Sequence, residues 1–437
     1  MNFQYRDPEI EKMPRGEIEA LQLKKLKAEV GFALRAPFYK ERLSKAGIKS
    51  ADDIKSLDDL KKIPFTTKND LRDGFPYGFL SIPKEDVVRL HASSGTTGIP
   101  TTIYFSSQDI KNWAGYMARC IYATGCTKND VFQNMITYGL FTGGLGLHQG
   151  GEEVGMMVIP AGAGNIARQF KMMQDYGTTV LHATPSFLLH LETKMKEAGV
   201  KRESLSIKRA FAGAEPYSED TRKRIEALLN IDVYNSYGLS EMNGPGVAFE
   251  CQCKNGLHIW EDGYIAEIVD PDTLEPVKEG ETGELILTIL CREATPILRY
   301  RTRDLTSFYT ESCPCGRTHR RLHRITGRSD DMLIINGVNV FPSQIEEVIM
   351  GMKEVGNNYL IIVEKEGALD RLTVKTEVGA DIFMDDSRPL NALKDKIRET
   401  LQASISISPR VELHESGSLP VSEGKAVRVQ DTRPKDV

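Results

Sequence analysis

The sequence predicts a large layered α/β domain followed by a small α+β domain, and three observations carry that prediction. Strand-like and helix-like stretches alternate from Val87 to Ser236. Short β stretches joined by Pro- and Gly-containing turns follow Trp260, which adds a β subdomain. Beyond Asp330 the pattern becomes helix, two strands, helix, the composition of a compact α+β unit. The chain has 437 residues, room for two or three domains of roughly 150 residues each. The break is set so that residues 1–329 form the first domain and residues 330–437 the second.

Each element has its own signal. Residues 17–46 show helical spacing with few breakers and read as one or two surface helices. Val87–His91 and Thr101–Phe105 read as strands. Ser107–Thr124 reads as a helix because Ile110, Trp113, Met117 and Ile121 fall on one stripe. Thr179–His182, Lys208–Ala212 and Asp232–Ser236 are buried-type strands. They alternate with helices that begin near Ser186 and span Ser218–Asn230, which implies a largely parallel sheet. Tyr264–Val269, Gly283–Leu290 and Pro296–Tyr300 are the β stretches of the subdomain. In the last unit, Ile345, Val348, Ile349 and Met352 share a face of one helix. Leu390, Leu393, Ile397 and Leu401 share a face of another, and Tyr359–Val363 and Leu372–Thr376 pair between them.

Composition excludes several classes. Hydrophobic content of 40% and charged content of 27% fit a soluble globular protein with a sizeable core. A formal net charge of −5 gives no reason to expect a nucleic-acid surface. The first 14 residues mix Arg, Glu and Lys, so no signal peptide is expected. No apolar run approaches the roughly 18 residues of a membrane span. The expected address is the cytoplasm, and a homodimer is the base-rate expectation for such a chain.

Five motifs could carry chemistry. In Ser93-Ser94-Gly95-Thr96-Thr97-Gly98, hydroxyls and glycines alternate, so side-chain donors and backbone N–H groups can both reach phosphate oxygens. The loop lacks the G-K-[ST] ending of a Walker loop, and a polar hairpin turn explains it equally well. Tyr237-Gly238-Leu239-Ser240-Glu241 follows a strand; Tyr237 offers a flat face for a base and Glu241 a carboxylate suited to Mg²⁺. Within Arg299–Leu305, Asp304 could accept ribose hydroxyls, although a solvated edge accounts for so many charges. Gly327-Arg328-Ser329-Asp330-Asp331, running into Gly337–Pro342, reads as a hinge between two domains. Lys425 stands on a Gly-containing loop near the C-terminus, where a lysine is usually solvent decoration.

Taken together, in this order and spacing, the motifs resemble the adenylate-forming acyl-CoA ligase superfamily, and within it the phenylacetate–CoA ligases. The resemblance runs from about Pro37 to Val429. The narrower group is suggested by Tyr138-Gly-Leu-Phe141-Thr-Gly-Gly-Leu145, by Gly213-Ala214-Glu215-Pro216 and by Asn336–Pro342. It implies a large N-terminal adenylate-forming domain, a small mobile C-terminal domain, and an ATP-dependent, AMP-forming activation of an aryl acid to its CoA thioester. Phenylacetate is the first choice of acid. The resemblance also implies roles. Ser94 to Gly98, with Ser93, would cradle the triphosphate. Ala214, Glu215 and Pro216 would line the adenine, with Tyr237 against the base and Asn235, Ser236 and Gly238 beside it. Glu241 would hold Mg²⁺, and Asp304 and Arg328 the ribose. Tyr138, Phe141, Gly143, Gly213 and Ala214 would shape the aryl pocket. Asp330 would be the hinge, and Lys425 would stabilise the adenylation transition state. The implied partners are ATP, CoA and the acid. One departure is Gly98-Ile99-Pro100, where the family often has Gly-Lys-Pro.

A second departure is a pair of Cys-x-Cys motifs. Among seven cysteines, Cys120, Cys126 and Cys291 read as packing residues. Cys251, Cys253, His258, Cys313 and Cys315 offer five candidates for the four positions of a structural Zn²⁺ site. Cys251, His258, Cys313 and Cys315 are the favoured set, with Cys253 as the alternate; four free thiols are the plainer reading. Two rival functions follow from the same residues. One is a ligase for another aromatic acid, such as benzoate or indole-acetate. The other is a nucleotide-binding zinc protein that senses rather than catalyses, which has no need of Lys425.

Overall fold

A computed structural model describes residues 3–93, 100–367, 369–379, 387–420 and 426–434. At its centre is an eight-stranded sheet, in the order Arg321–Leu322, Leu257–Ile259, Gly244–Glu250, Asp232–Leu239, Arg209–Gly213, Val180–Ala183, Val131–Asn134, Met157–Ile159. The last five strands in that order are mutually parallel, and the first three continue the sheet antiparallel. The parallel half fits the sequence pattern, because strands buried on both faces read as short apolar runs. Helices Pro185–Glu197 and Glu219–Leu229 connect successive parallel strands.

The β subdomain is an antiparallel sheet of Tyr264–Val269, Gly283–Ile289, Tyr300–Thr306 and Gly327–Arg328. Its third strand is displaced from the expected Pro296–Tyr300. Arg299 takes φ +45°, which breaks the extended backbone before Tyr300. The Arg299 guanidinium is held there by Glu267 at 2.9 and 3.0 Å and by the carbonyl of Ile63 at 3.0 Å.

The small unit places Leu369–Val378 and Val355–Glu366 side by side and antiparallel, with Tyr359 opposite Thr376 and Val363 opposite Leu372. Arg410–Glu415 and Val429–Asp431 flank them in parallel, and helices Pro342–Gly351 and Ser387–Ile405 pack on one side. Two apolar cores result. One joins the N-terminal helices Arg15–Ala33 and Pro37–Lys45, the helix Ser107–Ala123 and the β subdomain, with Trp113 and Trp260 fully buried. The other covers Leu181, Ala210 and Val233 of the central sheet and runs on into Ile345, Ile349, Ile361, Val374 and Ile397 of the small unit.

The helix Thr142–Val154 is the element that local propensity argues against. Five of its 13 residues are glycine, each costing about 1 kcal/mol relative to alanine in a helix interior. Packing explains them. A Cβ on Gly146 would enter the Trp113 ring, and one on Gly151 would meet Val158 at 2.8 Å and Phe132 at 2.9 Å. The glycines let this helix lie against Ser107–Ala123 and the sheet at close range, and that burial outweighs the propensity.

Candidate active site at the carboxyl ends of the parallel strands

In an open α/β sheet, ligands bind beyond the carboxyl ends of the strands. Four of the parallel strands here end at Asn134, Ala183, Gly213 and Leu239. Gly213 pairs with Ser236, and a Cβ on it would lie 2.6 Å from the Ser236 carbonyl, so only glycine fits. The next residue, Ala214, is held at φ +70°, a conformation that costs a non-glycine residue about 1–3 kcal/mol. That strained turn presents Ala214 and Pro216 to solvent at the sheet edge. Asn235 and Ser236 are buried in the neighbouring strand, where the Asn235 N–H donates to Glu250 at 2.7 Å.

Tyr237, Asp304 and Arg328 converge there from three strands. The Tyr237 hydroxyl donates to Asp304 Oδ2 at 2.6 Å, and Arg328 donates to Asp304 Oδ1 at 3.1 Å. The same guanidinium donates to both carboxylate oxygens of Asp330, at 2.9 and 3.0 Å. Asp304 is reached because Tyr300–Thr306 alternates: Tyr300, Thr302, Asp304 and Thr306 point inward, while Arg301 and Arg303 face outward toward Glu284. Burial pushes the Asp304 carboxyl up to about 6, against the pull of Arg328 and the Tyr237 hydroxyl. Burial, and then the facing Asp304 carboxylate, raises the Tyr237 phenol well above its ordinary value.

Glu241 lies on the turn after Leu239 and is buried. Arg292 bonds its backbone carbonyl at 2.7 Å and the Asn243 side chain at 3.0 Å, which fixes the turn. The Glu241 carboxylate faces the Tyr300 phenol, whose proton affinity rises first through burial and then through that carboxylate. Among the described residues no cation pairs with Glu241. A buried carboxylate in that position suits a divalent cation.

On the other side of Gly213, Asn134 organises a row of side chains that spacing alone did not reveal. Its amide donates to the Tyr138 hydroxyl at 2.9 Å and to the Gly144 carbonyl at 2.7 Å, and its oxygen lies 2.8 Å from His182 Nδ1. The Tyr138 hydroxyl also lies 3.1 Å from His148 Nδ1, and His148 Nε2 lies 3.0 Å from Glu152. Burial lowers His182 to about 3, so its ring is neutral, and raises the Tyr138 phenol to about 12. The Tyr138 ring is thereby fixed beside Gly144, where an added Cβ would lie 3.3 Å from it. A Cβ on Gly143 would come within 2.8 Å of the Phe141 ring. Asn134 escaped the sequence reading because its strand is only four residues long, whereas His182 closes a strand the sequence did show but in which nothing marks it as a site residue.

Glu215 does more than border the sheet edge. One carboxylate oxygen accepts the Ser186 N–H at 2.7 Å; the other accepts the N–H of Ala426 at 2.8 Å. Glu215 thus ties Ala426, the residue after Lys425 in sequence, to the large domain. A cavity of about 500 Å³ lies at this junction, walled by Pro185, Glu215, Tyr217, Asp330, Glu346 and Tyr359. Lys425 and Ser94, Gly95, Thr96, Thr97 and Gly98 lie outside the described residues. Ser93 is described, its hydroxyl 2.5 Å from that of Thr101.

The cysteine pairs meet. Cys251, His258, Cys313 and Cys315 are all buried, and their donor atoms lie within 4.8 Å of one another. Cys251 Sγ is 3.7 Å from Cys313 Sγ, and Cys315 Sγ is 3.4 Å from His258 Nε2. No disulfide joins any of the seven cysteines. Cys253 is half-buried at the rim of the group. Three thiols and an imidazole turned toward one point are a donor set that suits Zn²⁺.

A parallel sheet edge bearing this array, with a small α+β unit docked over it, defines an AMP-binding enzyme. Family models agree: residues 21–288 match the AMP-binding enzyme model, and residues 337–433 match the AMP-binding enzyme C-terminal domain. The phenylacetate-coenzyme A ligase of Thermus thermophilus is 44% identical, over 98% of this chain and 99% of its own length. That of Escherichia coli is 43% identical, over 98% and 97%. The chain belongs to the phenylacetate–coenzyme A ligase family of AMP-binding enzymes. Among solved structures, a 2-hydroxyisobutyryl-CoA ligase in the postadenylation state with 2-HIB-AMP superposes with a TM-score of 0.91, at 27% identity over 97% of this chain and 91% of that one. The same ligase with 2-HIB-AMP and CoA in the thioesterification state scores 0.72 at 28% identity over 98% and 92%. Coverage and identity hardly differ, so the two scores separate domain arrangements, and this chain has the arrangement of the former.

Among the described residues, no helix is long and apolar enough to cross a membrane.

Proposed function

We propose that this chain converts phenylacetate to phenylacetyl-CoA in two steps at the sheet edge. The acid's carboxylate attacks the α-phosphorus of ATP, expels pyrophosphate and forms the acyl-adenylate. The CoA thiol then attacks the acyl carbon, and AMP leaves. The observation that supports this reading is the convergence of Tyr237, Asp304 and Arg328 at the strand ends that also carry Gly213 and the Asn134–Tyr138 row. On the roles the family resemblance implies, the first would be the nucleotide side of Gly213 and the second the aryl side. Catalysis here is positioning and electrostatic stabilisation, with no protein nucleophile.

The residue roles are those the family resemblance implies, and they fit the chemistry of the side chains. Asp304 accepts ribose hydroxyls while Arg328 holds its carboxylate, and Tyr237 offers its face to the base beside Ala214, Glu215 and Pro216. Ser93 to Gly98 supply donors to the triphosphate. Glu241 would hold Mg²⁺, which neutralises phosphate charge. Lys425 stabilises charge developing between the acid and the α-phosphate. The CoA thiol needs that same space, so the small domain turns about Asp330 between steps. Cys251, His258, Cys313 and Cys315 would hold Zn²⁺ as a closed structural site, with no part in the chemistry. The cytoplasm, which supplies ATP and CoA, is the proposed location.

A panel of acids tests the substrate. Phenylacetate should give the highest kcat/KM for CoA-dependent AMP formation, above benzoate, indole-acetate, acetate and long-chain fatty acids. If benzoate or a fatty acid ranks first, the acid is wrong and the reaction class stands. If no acid yields AMP, both fail.

A further inference from the structure

The contact between the large domain and the small one is built on two helices whose charged side chains cap each other's ends. Arg224 projects from helix Glu219–Leu229 of the large domain. Its Nη2 donates to the carbonyls of Met350 at 2.9 Å and Met352 at 2.7 Å, the end of helix Pro342–Gly351 in the small domain. Its Nη1 donates to the carbonyls of Val355 at 2.9 Å and Gly356 at 2.8 Å, where the next strand begins, and reaches Asn357 Oδ1 at 3.4 Å. At the other end the roles reverse. Glu346, from helix Pro342–Gly351, accepts the Ser218 N–H at 3.0 Å and the Thr221 hydroxyl at 2.9 Å, at the start of helix Glu219–Leu229.

A helix leaves its first N–H groups and last carbonyls without internal partners, and its dipole favours an anion at the first end and a cation at the last. Here Arg224 supplies the cation that the last turn of helix Pro342–Gly351 lacks, and Glu346 adds a carboxylate from the small domain to a helix start that already carries Glu219 and Asp220. Among the described residues, neither charge has an ion-pair partner across the interface: Arg224 faces only neutral oxygens there, and Glu346 only an N–H and a hydroxyl. Such a contact is specific in direction, because the guanidinium fork fits a single arrangement of four carbonyls. It also contains no buried ion pair that would have to be pulled apart.

We propose that Arg224 and Glu346 form a latch that holds the small domain in the adenylation arrangement and opens for the thioester step. This rests on the two-step reading above. Both are positioning residues: neither lies among the nucleotide or acid contacts. Through Glu215 and Ala426, the same docking fixes the residue that follows Lys425 in sequence. An intact latch therefore favours the first half-reaction and has no role in the second.

Two half-reactions separate this role from a purely structural one. Acid-dependent pyrophosphate–ATP exchange reads adenylation, and phenylacetyl-adenylate supplied with CoA reads the thioester step. Arg224→Met and Glu346→Gln should each slow exchange by about 10-fold, within the roughly 5- to 150-fold range of a coupling between two states. The thioester step should be unchanged or faster. Arg224→Lys, which keeps the charge without the fork, should recover part of the exchange rate. Equal losses in both half-reactions, or no loss in either, would overturn the latch. Small-angle scattering of the ligand-free proteins gives a readout that does not depend on the substrate. Arg224→Met should populate a second domain arrangement that the wild type lacks. An unchanged scattering profile would count against the latch even if phenylacetate proved to be the wrong acid.

Discussion

Arg328 sits across the strand pair from Asp304, its Nη1 3.1 Å from Oδ1, yet the Asp304 carboxyl titrates near pH 6. Burial outweighs the guanidinium. The folded state therefore holds this proton more tightly than the unfolded chain, whose carboxyl titrates near its ordinary value of about 3.9. Stability from this group is complete below about pH 4 and is lost as pH rises through about 6, a change of about 3 kcal/mol at most. Nucleotide affinity should run the other way, because a ribose hydroxyl prefers a charged acceptor. Binding of AMP, followed by calorimetry, should strengthen from pH 5 to pH 7, and Asp304→Asn should bind weakly with that dependence flattened. A wild-type affinity that is constant over this range would refute the role.

Lys425→Ala should lower adenylation by about 100-fold or more, the scale of losing one preorganised charge at a transition state. Thioester formation from supplied acyl-adenylate should survive, because that step uses the other domain arrangement. Equal losses in the two would point to a folding defect instead.

Gly143→Ala tests the acid pocket. The new Cβ would lie 2.8 Å from one carbon of the Phe141 ring and 3.3 Å from the next, so the ring has to move. Overpacking of this kind costs about 1–3 kcal/mol. The KM for phenylacetate should rise by about 10-fold with the KM for ATP little altered, and an unchanged acid KM would place the acid elsewhere.

Much of this site could be read from the chain because its parts lie on turns with short, distinctive wording. Tyr237 to Glu241 and Gly213 to Pro216 flank apolar strands and stand out in sequence. Asp304 was also legible in principle, since it falls in phase with Tyr300, Thr302 and Thr306 on one face of a strand. Its crowd of arginines reads on its own as a solvated edge, and the family resemblance is what assigns Asp304 to the ribose. Asn134 was hidden by a strand too short to show a period, and His182 by its place at the end of an apolar strand, where it reads as packing. The glycine-rich helix Thr142–Val154 was hidden because its stability comes from contact with Trp113, Met117 and Phe132, distant in sequence from much of it. Arg224 and Glu346 read as ordinary charges on helix faces. Nothing local shows that each caps a helix in the other domain.

Purified protein prepared without chelator should contain about one equivalent of zinc. Cys313→Ser should lose the metal and lower the Tm, since structural zinc contributes folding free energy directly. Metal-free protein, or a Tm indifferent to this substitution, would argue for four plain thiols.

Glu11 and Arg317 form an ion pair that is almost fully buried. Removing one partner of such a pair leaves the other charge without compensation and costs about 3–5 kcal/mol. Glu11→Ala should therefore destabilise the protein by about that much in urea denaturation, while phenylacetate KM stays unchanged. A loss below about 1 kcal/mol would show that water reaches Arg317.

That pair belongs to a longer strap. Tyr5 bonds the carbonyl of Cys315 at 2.5 Å, Arg317 the carbonyl of Gln4, Thr318 that of Met13, and His319 that of Ile10. Apart from Arg6 on Glu153 and Asp7 on Arg119, these contacts of residues 4–13 thus run to a loop about 300 positions later in the chain. At a synthesis rate of roughly 5–20 residues per second, that loop emerges on the order of tens of seconds after them. Throughout that interval Glu11 lacks its Arg317 partner. A segment made before that loop thus gains its buried ion pair late.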